Sequence, residues 1–253
     1  MPRLPASERL LSIAAAATEM FGRRGYRGTR TAEVAAGAGM SAGSLFTYVE
    51  SKEALFHLVF LHGLGLLADG SLPLPLRTPG PGETLALLER TLAEAPVPRI
   101  RAALAEGEPA DVAGELRGIV EERYDVIERY WPLLAVIERC AAEMPELEAL
   151  WFGGARAGSY AELGQYLERR MAKGLLRPMP DVTVAARVVT ESVSWFAWHR
   201  HQGRDAALYD DQAARRTVIE FVCAALLPAS ALVIQTLAPG PAPGGAASRS
   251  HGP

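Results

Sequence analysis

The segment TAEVAAGAGMSAGSLFTYVESKEALF, residues 31–56, contains two stretches of helical periodicity separated by a run of small residues. The run contains Gly37, Gly39, Ser41 and Gly43. Glycine adopts the positive φ that ends many helices, and serine is a preferred residue for starting one. The segment therefore predicts two short helices joined by a tight turn at Gly39, with Ser41 capping the second helix.

The residues around this turn fit two helices that cross at a steep angle. Ala35 is small enough for the place where the helices approach most closely, and the interior positions are Val34, Ala38, Met40, Leu45 and Tyr48. The second helix, from about Ala42 to Tyr48, begins with small residues that would let its backbone lie deep in a DNA major groove. The pattern is that of a helix-turn-helix.

Positive charge is concentrated around this segment, although the whole chain has a net charge of −3. Residues 21–52 contain five arginine or lysine residues and two glutamates, a net charge of +3. Thr29 is expected to cap the first helix, and Ser51 the helix that begins with Lys52. Helix N-termini carry free N–H groups and a partial positive charge, so these turns suit DNA phosphates. Lys52, one of two lysines in the chain, is expected to reach a phosphate.

Residues 21–56, FGRRGYRGTRTAEVAAGAGMSAGSLFTYVESKEALF, resemble the DNA-binding region of the TetR family of bacterial transcriptional regulators, and the resemblance covers about residues 7–60. It implies an all-helical homodimer with three N-terminal helices for DNA and a C-terminal helical domain that binds small molecules and dimerises. It also implies phosphate contacts from Thr29, Arg30, Thr31, Ser41, Tyr48 and Lys52 beside Ser51, and contacts on the groove face from Ala42, Gly43, Ser44 and Thr47.

Two residues depart from the family's usual pattern. Phe46 stands where the family usually has tyrosine, so a hydroxyl contact to DNA is lost, and Phe46 is instead suited to a thymine methyl. Val49 stands where the family usually has phenylalanine, which thins the local core. Both departures are expected to be tolerated.

The remainder of the chain is a succession of helical patterns, and no segment favours a β-strand. Residues 7–22 predict an amphipathic first helix that breaks at the glycines between 22 and 28, and residues 52–69 predict a longer helix. A proline-rich run follows, in which helix is forbidden. Further helical patterns, the third of them expected to kink or split at Pro132, occupy about 83–95, 99–106, 111–143, 146–173, 182–202 and 209–228.

These patterns predict an all-α protein in four parts. Residues 1–51 form a helix-turn-helix DNA-binding domain, residues 52–70 a connecting helix, residues 71–237 a helical ligand-binding and dimerisation domain, and residues 238–253 a disordered tail. By resemblance, the last two helical patterns form a four-helix dimer interface.

Aromatic residues cluster in the second half of the chain, which suits a pocket for an apolar ligand but also core packing or a dimer interface. Trp131, Trp151 and Trp195 are the preferred pocket candidates. His199 and His201 invite a metal site. Residues two apart on a helix point in different directions, however, so no metal site is predicted.

Other features argue against several classes of protein. Cys140 and Cys223 lie far apart in apolar contexts, which excludes a disulfide framework and favours a reducing cytoplasm. The longest apolar run, residues 54–68, is too short to span a bilayer, so no membrane association is expected. The sequence contains no catalytic or nucleotide-binding motif, so neither an enzyme nor a bound cofactor is expected.

Together these features predict a ligand-responsive homodimeric repressor. It would bind double-stranded DNA at a palindromic operator and be released by a small apolar or amphipathic effector. An activator, or a regulator controlled by a protein partner, stays open as an alternative. A helical enzyme or ligand carrier whose helix-turn-helix is only structural is a further alternative, and it would lack sequence-selective DNA affinity.

Overall fold

The computed structural model describes residues 5–67, 73–94, 97–203 and 208–229. Across these ranges the chain is built from α-helices without a β-strand, and a short parallel bridge pairs Val49 with Leu76. The predicted all-α fold is confirmed. The predicted tail, residues 238–253, and the end of the predicted connecting helix at Gly70 lie outside the described residues.

The N-terminal helices are α1 (Ala6–Gly28), α2 (Thr31–Gly37), α3 (Ala42–Leu45) and α4 (Lys52–Gly63). The break predicted among the glycines between 22 and 28 is a kink at Gly25, whose φ is 76°, and the helix is regular across Gly22. Gly22 has a packing role instead, since a Cβ there would lie 3.7 Å from the Cβ of Ala135 in a later helix. The connecting helix is shorter than predicted because Gly65 takes a positive φ just beyond α4.

The core of these helices is rich in aromatic rings. Phe56 packs edge-on against Phe21, with ring centroids 5.2 Å apart, and against Phe60, 5.0 Å apart. Val49 is fully buried in the same cluster as Leu76, and the Leu76 N–H donates to the Tyr48 carbonyl at 2.8 Å. Leu76 of the proline-rich segment thus packs over Val49, the position at which the resemblance would lead one to expect phenylalanine.

The C-terminal helices follow the predicted pattern closely. They are α5 (Glu83–Ala93), α6 (Pro98–Ala105), α7 (Val112–Ala141), α8 (Pro145–Glu148), α9 (Ala157–Ala172), α10 (Val182–Ala197) and α11 (Asp211–Leu226). Wider π-helical turns over Ala149–Arg156 connect α8 to α9, and a tight 3₁₀ turn over His199–Gln202 follows α10. The expectation that Pro132 would kink or split α7 is not matched by a break, because α7 runs for 30 residues across it.

Helix α7 contributes to two separate cores. Its second half, from Leu133 to Ala141, is buried with α1 and α4, and its first half, from Ala113 to Tyr124, is buried with α6, α9, α10 and α11. Cys140 lies in the first core and Cys223 in the second, both as free thiols. Burial raises the pKa of Cys140 to about 12 and that of Cys223 to about 11.

A buried ion pair ties three C-terminal helices together. The Arg170 side chain on α9 is 2 % exposed and binds both carboxylate oxygens of Glu115 on α7, at 2.8 and 2.9 Å. It also donates to the Ala103 carbonyl on α6 at 2.9 Å. A guanidinium that is satisfied in this bidentate way tolerates burial.

Replacing Arg170 with methionine is therefore expected to destabilise the fold. The Arg170→Met variant should lose about 3–5 kcal/mol of unfolding free energy, because Glu115 is left without its partner inside the protein. Denaturant unfolding measures the loss. The matched variant Arg23→Met, at a position whose side chain is 76 % exposed, should change stability by less than about 0.5 kcal/mol. Equal losses in the two variants would contradict the structural role of the Arg170 pair.

The contact between α4 and α7 depends on a glycine. A Cβ at Gly63 would lie 2.5 Å from a methyl carbon of Leu133, and Leu133 is itself only 5 % exposed. We expect Gly63→Ala to cost about 1–3 kcal/mol in denaturant unfolding through overpacking. The same substitution at Gly164, in the middle of α9, meets no atom within 4 Å. That control should gain about 0.5–1 kcal/mol from helix propensity, and a loss at both positions would refute the specific contact.

Candidate nucleic-acid interface and ligand cavity

The turn between α2 and α3 has the predicted geometry at Gly39. Gly39 has a φ of 68° and donates to the Ala36 carbonyl at 3.0 Å, which ends α2. The Ser41 hydroxyl accepts the Ser44 N–H at 3.2 Å and so caps α3. Only Ala42–Leu45 is regular α-helix, which is shorter than the predicted helix to Tyr48. The chain then continues in tighter turns, with the Tyr48 N–H donating to the Leu45 carbonyl at 2.9 Å.

The predicted groove-facing residues lie on the protein surface. Leu45 is fully buried, whereas the neighbouring Phe46 is 46 % exposed. The other exposed members of the predicted set are Arg30, Ser41, Ala42, Gly43, Ser44 and Thr47, and the half-buried members are Thr31, Tyr48, Ser51 and Lys52. The Thr47 hydroxyl donates to the Ser44 carbonyl at 2.7 Å, which leaves its oxygen able to accept from, and its methyl able to contact, an incoming group.

Thr29 differs from its prediction. Its side chain is 1 % exposed, and its hydroxyl donates to the Gly25 carbonyl at 2.8 Å. The capping position of α2 belongs to Arg30, which provides no side-chain cap. The prediction that Thr29 caps this helix is therefore wrong, because the kink at Gly25 directs a carbonyl to its hydroxyl.

Lys52 is held at the start of α4 by its neighbours. The Ser51 hydroxyl accepts the Ala54 N–H at 3.1 Å, as predicted for a helix cap. The Lys52 ammonium lies 4.7 Å from the centroid of the Tyr26 ring, a cation–π contact that orients it without neutralising its charge. Tyr26 in turn donates to Glu53 at 3.0 Å, and burial raises the pKa of Tyr26 above its usual value. The sequence did not point to this role of Tyr26.

Basic side chains near α2 and α3 differ in how far they are neutralised. Arg24 pairs with Glu33 at 2.7 Å, and that hydrogen bond lowers the pKa of the Glu33 carboxyl. Arg27, Arg30 and Lys52 form no ion pair with any carboxylate in the described part of the chain. These three cations can therefore attract an anionic polymer such as DNA.

A cavity of about 310 Å³ lies in the C-terminal half of the protein, between α7, the π-helical turns, α9 and α10. Its walls are mainly apolar, with Leu92, Val97, Val126, Ile127 and Leu134 among the lining residues. Polar groups line it as well, among them Arg123, Ser159 and Thr190. A small cavity of this composition is typical of a site for a small molecule.

The three tryptophans chosen from the sequence do not share this cavity. Trp151 lines it, but Trp131 lines a separate groove next to α1 and α4, where its ring stacks on His201 with centroids 5.1 Å apart. Trp195 is 39 % exposed on the outside of α10. Large aromatic residues were expected to mark one pocket, but tertiary packing places these three rings at three separate sites.

Sequence reasoning missed Trp198 and Arg123, both of which line the cavity. The sequence nevertheless contains a pattern that points to each of these two residues. Thr190, Ser194 and Trp198 recur every four residues, the spacing of one helix face. Arg123 lies on the buried stripe of α7, where its companions are Leu116, Ile119, Val120 and Ile127. A charged residue on such a stripe is uncommon and indicates a special environment.

The two histidines considered for a metal site stack on different aromatic rings. His199 stacks on Trp198, with centroids 4.1 Å apart, and His201 stacks on Trp131. The described residues contain no group of three or more His, Cys, Asp or Glu side chains arranged to hold a metal ion. Nor is any described helix both long enough and apolar enough to cross a membrane.

Comparison with solved structures finds proteins of similar fold. The chain is similar to AibR in complex with isovaleryl coenzyme A and operator DNA, at 20% identity and a TM-score of 0.50, over 85% of this chain and 97% of that one. It is also similar to the fatty acid degradation regulator FadR from Bacillus halodurans, at 17% identity and a TM-score of 0.47, over 88% and 97% of the two chains. No curated protein sequence matches the chain.

The family comparison concerns the N-terminal helices. Residues 13–59 match the model described as bacterial regulatory proteins, tetR family. This range begins inside α1, contains the capped turn at Gly39 and ends inside α4. The similarity to bacterial regulatory proteins of the tetR family therefore lies in α1 to α4, the helices that hold the predicted DNA-binding residues.

Proposed function

We propose that the protein is a homodimeric repressor that leaves a palindromic operator when a small molecule fills its C-terminal cavity. The observation that carries the proposal is the exposed start of α3, which is capped by Ser41 and bears only small side chains at Ala42, Gly43 and Ser44. A helix of this kind fits a major groove closely. The similar structure of AibR holds both operator DNA and a ligand, which supports the same pairing here.

The proposed contacts fall into two groups. Arg30, Thr31, Ser41, Tyr48 and Lys52 hold phosphates, together with the N–H groups at the start of α4 beside Ser51. Ala42, Gly43, Ser44, Phe46 and Thr47 face the bases. Thr29 has no direct role in this scheme, since its hydroxyl is bonded inside the protein. Its hydrogen bond to the Gly25 carbonyl instead fixes the backbone between the end of α1 and Arg30.

The proposed dimer interface is the outer face of α10 and α11. Val184, Val188 and Phe221 are 57 %, 55 % and 65 % exposed, and they surround a shallow apolar groove between the two helices. Large apolar side chains in one patch mark a surface that another protein covers. A second copy would place two α3 helices about one helical turn of DNA apart, roughly 34 Å, on a two-fold symmetric site.

The cavity and the DNA-binding helices are linked through α7. Leu134 lines the cavity, and the neighbouring Leu133 packs against Gly63 at the end of α4. A ligand that favours one position of this part of α7 would also favour one tilt of α4. DNA affinity then falls by the difference in ligand affinity between the two states.

The proposed contact of Lys52 with a DNA phosphate can be tested with Lys173, the other lysine of the sequence, as the control. Lys52→Ala should weaken binding to all duplexes alike and should reduce the slope of log K against log salt by about 0.9 for each subunit. Lys173→Ala, at the far end of α9, should leave the slope unchanged. Thr47→Ala should instead relax preference at one base pair of each half-site, by about 1–3 kcal/mol. An unchanged slope for Lys52→Ala would remove this residue from the interface.

The dimer interface gives a second test. Val188→Glu and Phe221→Glu should each convert the dimer into monomers in light scattering after size exclusion, because a glutamate would be buried without a partner. Leu11→Glu, at an exposed position on α1, is the control and should leave the mass unchanged. Dimers that persist in both interface variants would show that another surface joins the subunits.

Selection of duplexes from a random pool separates this function from that of a helical enzyme or ligand carrier. A selected palindrome with half-sites one turn apart is expected. Recovery of no sequence motif at low salt would refute the proposal. In vitro transcription with the purified protein tests the sign of regulation. With the selected site placed over a promoter, added protein should lower transcription if it is a repressor and raise it if it is an activator.

A further inference from the structure

We infer that the cavity binds a small carboxylate with an apolar body, and that the Arg123 guanidinium receives the carboxylate group. The inference rests on the proposed function, since it names the chemical class of the effector. It starts from a comparison of the three arginines that are buried among the described residues, Arg123, Arg170 and Arg200.

Arg123 differs from the other two buried arginines in having no anionic partner. Arg170 binds Glu115 through two hydrogen bonds, and Arg200 binds Asp211. Arg123 is 5 % exposed, yet its side chain donates only to two neutral hydroxyls, Ser159 at 2.6 Å and Thr190 at 3.4 Å. Its Nε has no hydrogen-bond partner. The protein therefore buries one positive charge at the cavity wall without a direct anionic partner.

The carboxylates nearest to Arg123 are already engaged. Glu162 lines the cavity and lies 3.7 Å from the Arg101 side chain, and Glu122 lies 3.9 Å from that of Arg99. Burial lowers the pKa of Arg123, but an arginine in a protein stays protonated near neutral pH. An isolated buried charge is costly, so its retention in a cavity indicates a site that an anion completes.

Two more donors without partners line the same cavity. The indole N–H groups of Trp151 and Trp198 have no acceptor, although the two residues are only 8 % and 3 % exposed. With the Nε of Arg123, three residues that line the cavity carry a buried donor without a partner. Buried polar groups normally have partners, so the shared deficit points to an absent acceptor group.

Cavity size and polarity restrict the ligand further. A volume of about 310 Å³ is near the lower end for ligand sites, and the walls beyond Arg123 are largely aliphatic. The other guanidinium groups at the wall are paired, Arg156 with Glu138 and Glu191, and Arg101 with Glu162. One guanidinium without a direct anionic partner matches a singly charged carboxylate better than a doubly charged phosphate ester.

Calorimetric titration of the full chain, without DNA, tests the inference. The probes are butyrate, octanoate, dodecanoate and phenylacetate, each beside its primary amide, and octyl phosphate. At least one carboxylate should bind roughly 10- to 100-fold more tightly than its amide and than octyl phosphate, the range for a charge-assisted hydrogen bond. Equal affinity for acid and amide, stronger binding of the phosphate, or no binding of any carboxylate would overturn the inference.

Variants locate the effect at Arg123. Arg123→Met should abolish the preference for acid over amide, and Arg123→Lys should retain part of it. Arg117→Met, which lies outside the cavity lining and has its carboxylate partner Glu220 on the protein, should keep the preference. A preference that survives in Arg123→Met would overturn the assignment.

Thermal unfolding shows whether Arg123 is instead a structural residue. Arg123→Met should unfold at the same temperature as the natural protein or a higher one in the absence of ligand, since it removes an uncompensated buried charge. A fall as large as that of Arg170→Met would overturn the inference.

Gel-shift measurements on the selected DNA separate the two proposals. Protein that binds DNA but shows no preference for carboxylates refutes the inference and leaves the regulatory function. Arg123-dependent carboxylate binding without DNA binding supports the inference and refutes the regulatory function. If both hold, the bound carboxylate should release the DNA from natural protein but not from Arg123→Met.

Discussion

The burial of α7 in two cores at once is the constraint on which the rest of the structure depends. Its second half is packed against α1 and α4, and its first half against the helices that surround the cavity. Because protein interiors are close-packed, a displacement along this helix cannot be absorbed locally. The N-terminal helices and the helices around the cavity therefore pack against the same helix, although they are distant in sequence.

Local chemistry was sufficient to predict the turn and its caps. Gly39 and the Ser41 and Ser51 caps act within a few residues of their own positions, so their roles are visible in the sequence. The predicted cap at Thr29 was wrong because its hydroxyl donates to the Gly25 carbonyl, which the kink exposes, and that contact depends on the kink's geometry. Helix order followed from periodicity, whereas the continuity of α7 through Pro132 required knowledge of the packing on both sides.

The cavity was predictable only in part, because its composition depends on contacts between distant helices. Aromatic content led to Trp151 correctly but also to Trp131 and Trp195, which lie elsewhere. The more informative residue was Arg123, a charge on an apolar stripe. Which buried arginines are neutralised could not be read from the sequence, because Glu115 lies 55 residues from Arg170. The contrast between the three buried arginines appears only in the folded chain.

Both native cysteines are buried thiols with raised pKa values, so neither forms an appreciable amount of thiolate near neutral pH. Thiol-directed alkylating reagents should therefore leave the folded protein unmodified. A single cysteine introduced on an exposed turn near α3 would then be the one reactive thiol in each subunit. Spin labels or fluorophores placed there would report the separation of the two α3 helices in the proposed dimer, and no substitution in the core would be needed.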